Sequence, residues 1–232
     1  MAATITGADG CKGGWLCVFA TTDDWQVSGF IATDFSELLR RLPALSILAI
    51  DIPIGLPLLG SRRCDLEARR RLGPRASSVF PAPLRPVLDA SDYDDACRIR
   101  EAVEGKRMSR QAFGILRKTR EVDAVLVRGD ISCEVRECHP EVSFAEWAGA
   151  PLQFPKKPPA GRAERTALID NFWPGQRTVV GSLLPRAGFA SDDLHDAFAA
   201  LWTARRILAG DALILPAVAE LDSQGLRMEI VA

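Results

Sequence analysis

The chain reads as an α/β fold built on a mixed sheet. Three observations carry that expectation. Residues 3–9 form a weakly alternating segment that ends on an acid, and two further β-prone segments, 15–20 and 25–32, follow across tight turns, which makes an antiparallel meander. A capped helix then separates the meander from residues 46–50, a nearly all-apolar run of the kind that buried parallel strands carry. The middle third, about 60–130, reads almost wholly as helix, an insertion into that scaffold. A length of 232 residues suffices for one core, and a single domain over 1–232 is the expectation.

Taken in order, the first turn is Gly10-Cys11-Lys12-Gly13-Gly14, whose glycines allow positive φ. Asp23-Asp24 marks the second turn. Asp34-Phe35-Ser36-Glu37 is a capping-box pattern, with Phe35, Leu38, Leu39 and Leu42 at helical spacing and Pro43 as the stop. This helix is the crossover that a parallel strand at 46–50 requires. Pro53, Pro57 and Gly60 mark a loop. Helices are expected over 62–72, 92–101 and 109–127, with an irregular, proline-rich stretch at 77–86. Residues 132–138 read as a fifth strand leading into His139-Pro140-Glu141. The stretch 155–159, with Lys156 and Lys157 among prolines, reads as a loop or linker, 163–172 as a helix, and 192–209 as the strongest helix of the chain.

Composition excludes several classes. No apolar run approaches the roughly 20 residues that span a bilayer, so no membrane association is expected. Met1-Ala2-Ala3-Thr4 has no basic segment before an apolar one, which makes a cytoplasmic location the default. The six cysteines form no Cys-x-x-Cys pair, so free thiols are expected in place of zinc ligands or disulfides. A net charge of −1 argues against coating duplex nucleic acid by bulk electrostatics. Arginines and lysines nevertheless crowd 62–75 and 106–120, which leaves room for an anionic substrate, and a homodimer is allowed.

Carboxylates carry the functional reading. Asp9 and Asp51 each end an apolar strand, a costly position unless something compensates the charge. If the strand at 46–50 lies parallel beside the first, the two acids become neighbours at the carboxyl edge of the sheet, where ligands of α/β folds collect. Asp193 and Asp196, three residues apart, lie on one helical face, whereas Asp192 reads as the helix cap. Hard divalent cations take such oxygen ligands, so one shared Mg²⁺ or Mn²⁺ is the expectation.

The chain resembles domain-of-unknown-function family 429, whose members are predicted nucleases with a ribonuclease H-like fold. The stretches that carry the resemblance are Gly7–Trp15, Ile50–Pro57, Arg63-Cys64-Asp65 with Ala68-Arg69, Ser77–Pro83, Glu137–Glu141 and Asp193–Ala200, which together span nearly the whole chain. The last also resembles the acidic terminal helix of Holliday-junction resolvases. The resemblance implies helices on both faces of the sheet and a metal set of Asp9, Asp51, Asp193 and Asp196, with Glu137 a further candidate.

Among other residues, Lys12 beside Asp9 reads either as a phosphate contact or as a solvated turn lysine. Arg63 and Arg69 are candidates to hold an anionic substrate. His139 and His195 are the only histidines, so either is a candidate base, with His139 expected nearer the substrate. Glu141 reads as a surface or capping residue, and the tryptophans as core. The leading expectation is a metal-dependent nuclease in which water activated by a carboxylate-held cation attacks phosphorus. An ATP-dependent phosphotransferase or ATPase of the related actin-like fold and a non-enzymatic binding module stay open beside it.

Overall fold

The computed structural model describes residues 2–43 and 46–232. Strands β1 (Thr4–Cys11), β2 (Gly14–Thr21) and β3 (Ser28–Ala32) form the meander, and helix α1 (Phe35–Arg41) crosses to β4 (Ile47–Ile50). Helices α2 (Arg63–Leu72), α3 (Tyr93–Glu104) and α4 (Arg110–Arg128), with 3-10 turns at 73–78 and 85–89, fill the excursion to β5 (Glu134–Glu137). Four helices follow: α5 (Pro140–Ala148), α6 (Pro159–Phe172), α7 (Gln176–Leu183) and α8 (Ser191–Ala209). A hairpin of β6 (Ile214–Leu221) and β7 (Arg227–Val231) ends the described chain. The third strand starts later than its apolar pattern implies, because Trp25 turns at φ 57° before the strand begins.

The five-strand sheet has the order β3-β2-β1-β4-β5. The meander pairs are antiparallel, and β4 pairs in parallel with both β1 and β5. The fold is thus α/β with the expected mixed sheet. Ala8 pairs with Ile50, and Ile50 with Glu137, so the carboxyl ends of three strands lie level.

Alternation sorts the strands between two cores. Ile5, Ile47 and Ala49 face α8, which contributes Leu194, Ala197, Phe198, Ala200 and Leu201. Ala8, Leu48 and Ile50 face the other way, onto Phe35 and Leu38 of α1 and Val122 and Val125 of α4. Helices therefore cover both faces. None of them, among the described residues, is long and apolar enough to cross a membrane. All six cysteines are free thiols.

The approach of α8 to the sheet depends on Gly7. A Cβ there would stand 2.1 Å from the Leu201 nitrogen and 2.2 Å from the Ala197 oxygen, both backbone atoms that cannot rotate away. Gly7→Ala is therefore expected to cost about 3 kcal/mol, the upper range for overpacking a core. Urea unfolding of the variant measures this, and a loss below about 1 kcal/mol would show that α8 slides freely on the sheet.

A second tie holds the insertion. The Arg85 guanidinium donates to Asp123 of α4 (Nη2 to Oδ1 2.7 Å, Nη1 to Oδ2 3.0 Å) and to Asp222, at the turn of the β6–β7 hairpin. Asp222 also accepts from the Leu56 amide at 2.9 Å, so one carboxylate joins hairpin, insertion and the loop after β4.

Candidate functional site

The acids at the two strand ends do meet. The Asp51 amide donates to the Ala8 carbonyl at 3.0 Å, and the Cys138 amide to the Ile50 carbonyl at 2.9 Å, which continues the parallel register one residue beyond the strands. Asp9 and Asp51 consequently sit side by side on the face that α8 covers. Asp196 reaches the same place from the second turn of that helix. Asp9 is 8% exposed and Asp196 2%, while Asp51 is half-buried. All three line one cavity of about 580 Å³. Its other walls come from α4 (Gln111, Gly114, Ile115 and Lys118), from Arg75, Ser78, Val79 and Phe80, and from Pro155, Lys156 and Lys157.

Lys156 supplies a counter-charge. Its Nζ donates to Asp196 Oδ2 at 2.6 Å, while Asp196 Oδ1 is buried without a hydrogen-bond partner. Neighbouring groups hold the lysine in place. Glu164 of α6 accepts from the amides of Gln153 (2.9 Å) and Phe154 (3.1 Å), and the buried Arg165 donates to the Phe154 carbonyl at 3.2 Å. The loop lies so close on α6 that a Cβ at Gly161 would stand 1.7 Å from the Pro155 oxygen. What reads in sequence as a linker is thus a fixed wall of the cavity.

A family model described as "Protein of unknown function (DUF429)" matches residues 7–221, which include every residue of this cavity but Ile230. The chain belongs to the DUF429 family. No curated protein and no solved structure matches it.

In this DUF429 chain several expected site residues stand elsewhere. Asp193 folds back on its own helix, where its Oδ2 accepts from the Ala190 amide at 2.8 Å. It performs the capping expected of Asp192, because the helix starts one residue earlier than its apolar pattern shows and places Asp193 in the third helical position. Asp193 is outside the cavity lining, and so are Lys12, Arg63 and Arg69. Lys12 is exposed on its turn. Arg63 reaches Glu67 at 2.9 Å, and Arg69 donates to the Val79 carbonyl at 2.6 Å.

Glu137 lines the cavity but is fully engaged. It takes both nitrogens of the buried Arg62 (2.6 and 2.7 Å) and the Ile54 amide at 2.6 Å. Its register with Ile50 turns it to the opposite face from Asp51, the geometric reason it stands apart from the three acids. Arg62 also binds Asp65 and the carbonyls of Ile54 and Gly55, so the pair shapes the loop that leaves Asp51. Glu141, expected as a surface or capping residue, lies in the first turn of α5, lines the cavity and is buried between Arg165 and Arg75.

The two histidines stand in different surroundings. His195 lies outside the cavity, bonded to Thr166 Oγ1 at 3.0 Å, and burial pushes it down to about 4. His139 lines the cavity, and its Nε2 meets the Ser78 carbonyl at 3.3 Å. A carbonyl only accepts, so Nε2 carries the proton and the buried, unpartnered Nδ1 of the neutral ring holds a lone pair. Burial lowers its pKa, which keeps that ring neutral. Lys118, Lys156, Lys157 and Arg75 also line the cavity; Arg75 and Lys118 come from the two basic segments of the middle third, whereas nothing in the sequence marks Lys156 and Lys157. Lys118 donates to the Gly14 carbonyl and stands 4.4 Å over the Trp15 ring, its stem laid against Gly10.

The donor set fits a hard divalent cation by charge. Ionised together, the three carboxylates would set three negative charges beside the single ammonium that bonds one of them, Lys156, and Asp196 Oδ1 has no partner. As the side chains stand, no group of three or more Asp, Glu, His or Cys among the described residues is gathered closely enough to ligate an ion. Asp196 turns toward the ammonium instead.

The crowding of acids has a measurable consequence. Burial, then the charges of Asp196 and Asp51, raise the Asp9 carboxyl well above the usual carboxylate range. Burial pushes Asp51 up to about 6, and Asp196 likewise up to about 6 against the pull of Lys156. Folded values above the unfolded value of about 3.9 mean that the folded state binds more protons. The stability these groups contribute is complete below that value and is lost as pH rises through about 6. In chelator, the melting temperature is expected to fall between about pH 5 and 8. Added Mn²⁺ should restore it at the upper end. A flat profile in chelator would mean the three acids are compensated within the protein.

Proposed function

We propose that this protein is a divalent-cation-dependent phosphoester hydrolase. The convergence of Asp9, Asp51 and Asp196, from two parallel strands and a helix, on one cavity carries the reading. The order β3-β2-β1-β4-β5, with acids at the ends of β1 and β4, supports a ribonuclease H-like fold. Asp9, Asp51 and Asp196 would hold Mg²⁺ or Mn²⁺, which supplies Lewis-acid polarisation of a phosphoryl oxygen and a nucleophilic water near neutral pH.

The remaining roles belong to this chain's own side chains. His139, neutral with a free Nδ1 lone pair, accepts a proton. Arg75, Lys118 and Lys157 bring positive charge to the walls of the cavity, where a phosphate would lie. Lys156 keeps Asp196 ionised in the absence of substrate. The Arg62–Glu137 pair positions the loop after Asp51 without touching the ester.

The test is a calorimetric titration with Mn²⁺ followed by assay of bis(4-nitrophenyl) phosphate and 4-nitrophenyl phosphate. Saturable cation binding and cation-dependent release of nitrophenol are expected. Absence of cation binding near neutral pH would remove the proposal.

A further inference from the structure

We infer that the cavity receives one nucleotide-sized phosphate ester, its base stacked on Phe80, in place of the backbone of a long nucleic acid. This deepens the hydrolase reading and rests on it for the position of the phosphate.

Size is the first argument. The three acids share the cavity lining with three separate segments: α4, the 75–80 segment and the 155–157 loop. The volume of about 580 Å³ falls in the range of about 300–1,000 Å³ that small-molecule sites occupy.

Charge is the second argument. A polynucleotide site needs unpaired cations along the backbone on either side of the scissile bond. Six of the arginines that crowd the insertion pair with this protein's own acids, Arg63 with Glu67, Arg71 with Glu146, Arg85 with Asp123 and Asp222, Arg98 with Asp95, Arg100 with Glu104, and Arg107 with Asp94, and Arg69 and Arg120 are taken up by backbone carbonyls. The net charge of −1 agrees. Arg75, Lys118, Lys156 and Lys157 line the cavity itself; Arg75 bonds Glu141 through Nη2 and keeps a buried Nε without a partner, and Lys156 bonds Asp196.

Phe80 is the third. It lines the cavity yet is 45% exposed, next to Val79, which is 1% exposed. A half-exposed aromatic ring in the lining that Arg75 and the lysines share matches a ligand with an anionic end and a flat apolar end.

The experiment is equilibrium binding to the intact protein in Mn²⁺. The probes are the 5′-thiophosphate of adenosine, ribose 5-phosphate, and a single-stranded oligonucleotide of twelve residues without a terminal phosphate. The adenosine probe is expected to bind more tightly than ribose 5-phosphate and at least as tightly as the oligonucleotide. Phe80→Ala should weaken the adenosine probe roughly tenfold and leave ribose 5-phosphate within twofold, while Phe80→Trp keeps the adenosine affinity. Phe80 is exposed, so both variants are expected to fold. Tighter binding of the oligonucleotide, or equal losses for both small probes in Phe80→Ala, overturns the inference. If the expected binding pattern appears but no ester is cleaved, the nucleotide site stands and the hydrolase reading falls.

Discussion

Asp9→Asn and Asp51→Asn are each expected to lower cation-dependent ester cleavage about 10³-fold or more while leaving the protein folded. Polarisation by a bound cation is worth several kcal/mol, and each 1.4 kcal/mol is about tenfold in rate. The stability change has the opposite sign. Asp9 is destabilised as an anion by burial and by Asp196 and Asp51, so removing its charge relieves both costs. The melting temperature in chelator at pH 8 should therefore rise, and the gain on adding Mn²⁺ should vanish. Calorimetry and a thermal scan with and without Mn²⁺ read both effects. Activity within tenfold of the parent, with Mn²⁺ stabilisation retained, would show that these acids do not hold the cation.

The largest loss of stability is expected from Arg62→Met. Removing one partner of a buried ion pair costs about 3–5 kcal/mol, because the charges left behind stay buried. Here two carboxylates, Glu137 and Asp65, lose the same guanidinium, and the Ile54 and Gly55 carbonyls lose a donor. The defect should depend on pH. Burial already pushes Glu137 up to about 7 with Arg62 pulling it down, so without Arg62 the folded value rises further. The unfolded value is about 4.3, and a raised folded value favours the folded state at low pH and is lost as pH rises. Urea unfolding should show a larger defect at pH 8 than at pH 5. A loss under about 1 kcal/mol at pH 8 would mean that water reaches the pair.

The acids of the site are legible in the sequence because each interrupts an apolar pattern: Asp9 and Asp51 end buried strands, and Asp196 precedes the buried run Ala197–Ala204 of α8. The five strands of the main sheet and the crossover helix are legible for the same reason, as local periodicity. Glu137 shows the limit of that reasoning. It too ends a strand, but the parallel register, which only pairing fixes, turns it to the other face. Lys156 is hidden because its loop is positioned by Gly161, Glu164 and Arg165, which hold Pro155, Gln153 and Phe154, and because its partner Asp196 is remote in the chain. The clustered arginines suggest substrate binding because their acidic partners, such as Glu146 and Asp222, are remote in the chain. The β6–β7 hairpin escapes a sequence reading although Asp222-Ser223-Gln224-Gly225 is a turn pattern, since Pro216 breaks the strand signal of β6 and β7 is short.

The double grip of Arg85 has a mechanical consequence. Swinging α4 outward would tear the Arg85 guanidinium from Asp123, or drag it from Asp222 and pull on the Leu56 amide that Asp222 holds. That side of the mouth behaves as a riveted jamb. Traffic in and out then falls to the side where Phe80 is 45% exposed, so deuterium uptake should be slow along α4 and fast around Phe80.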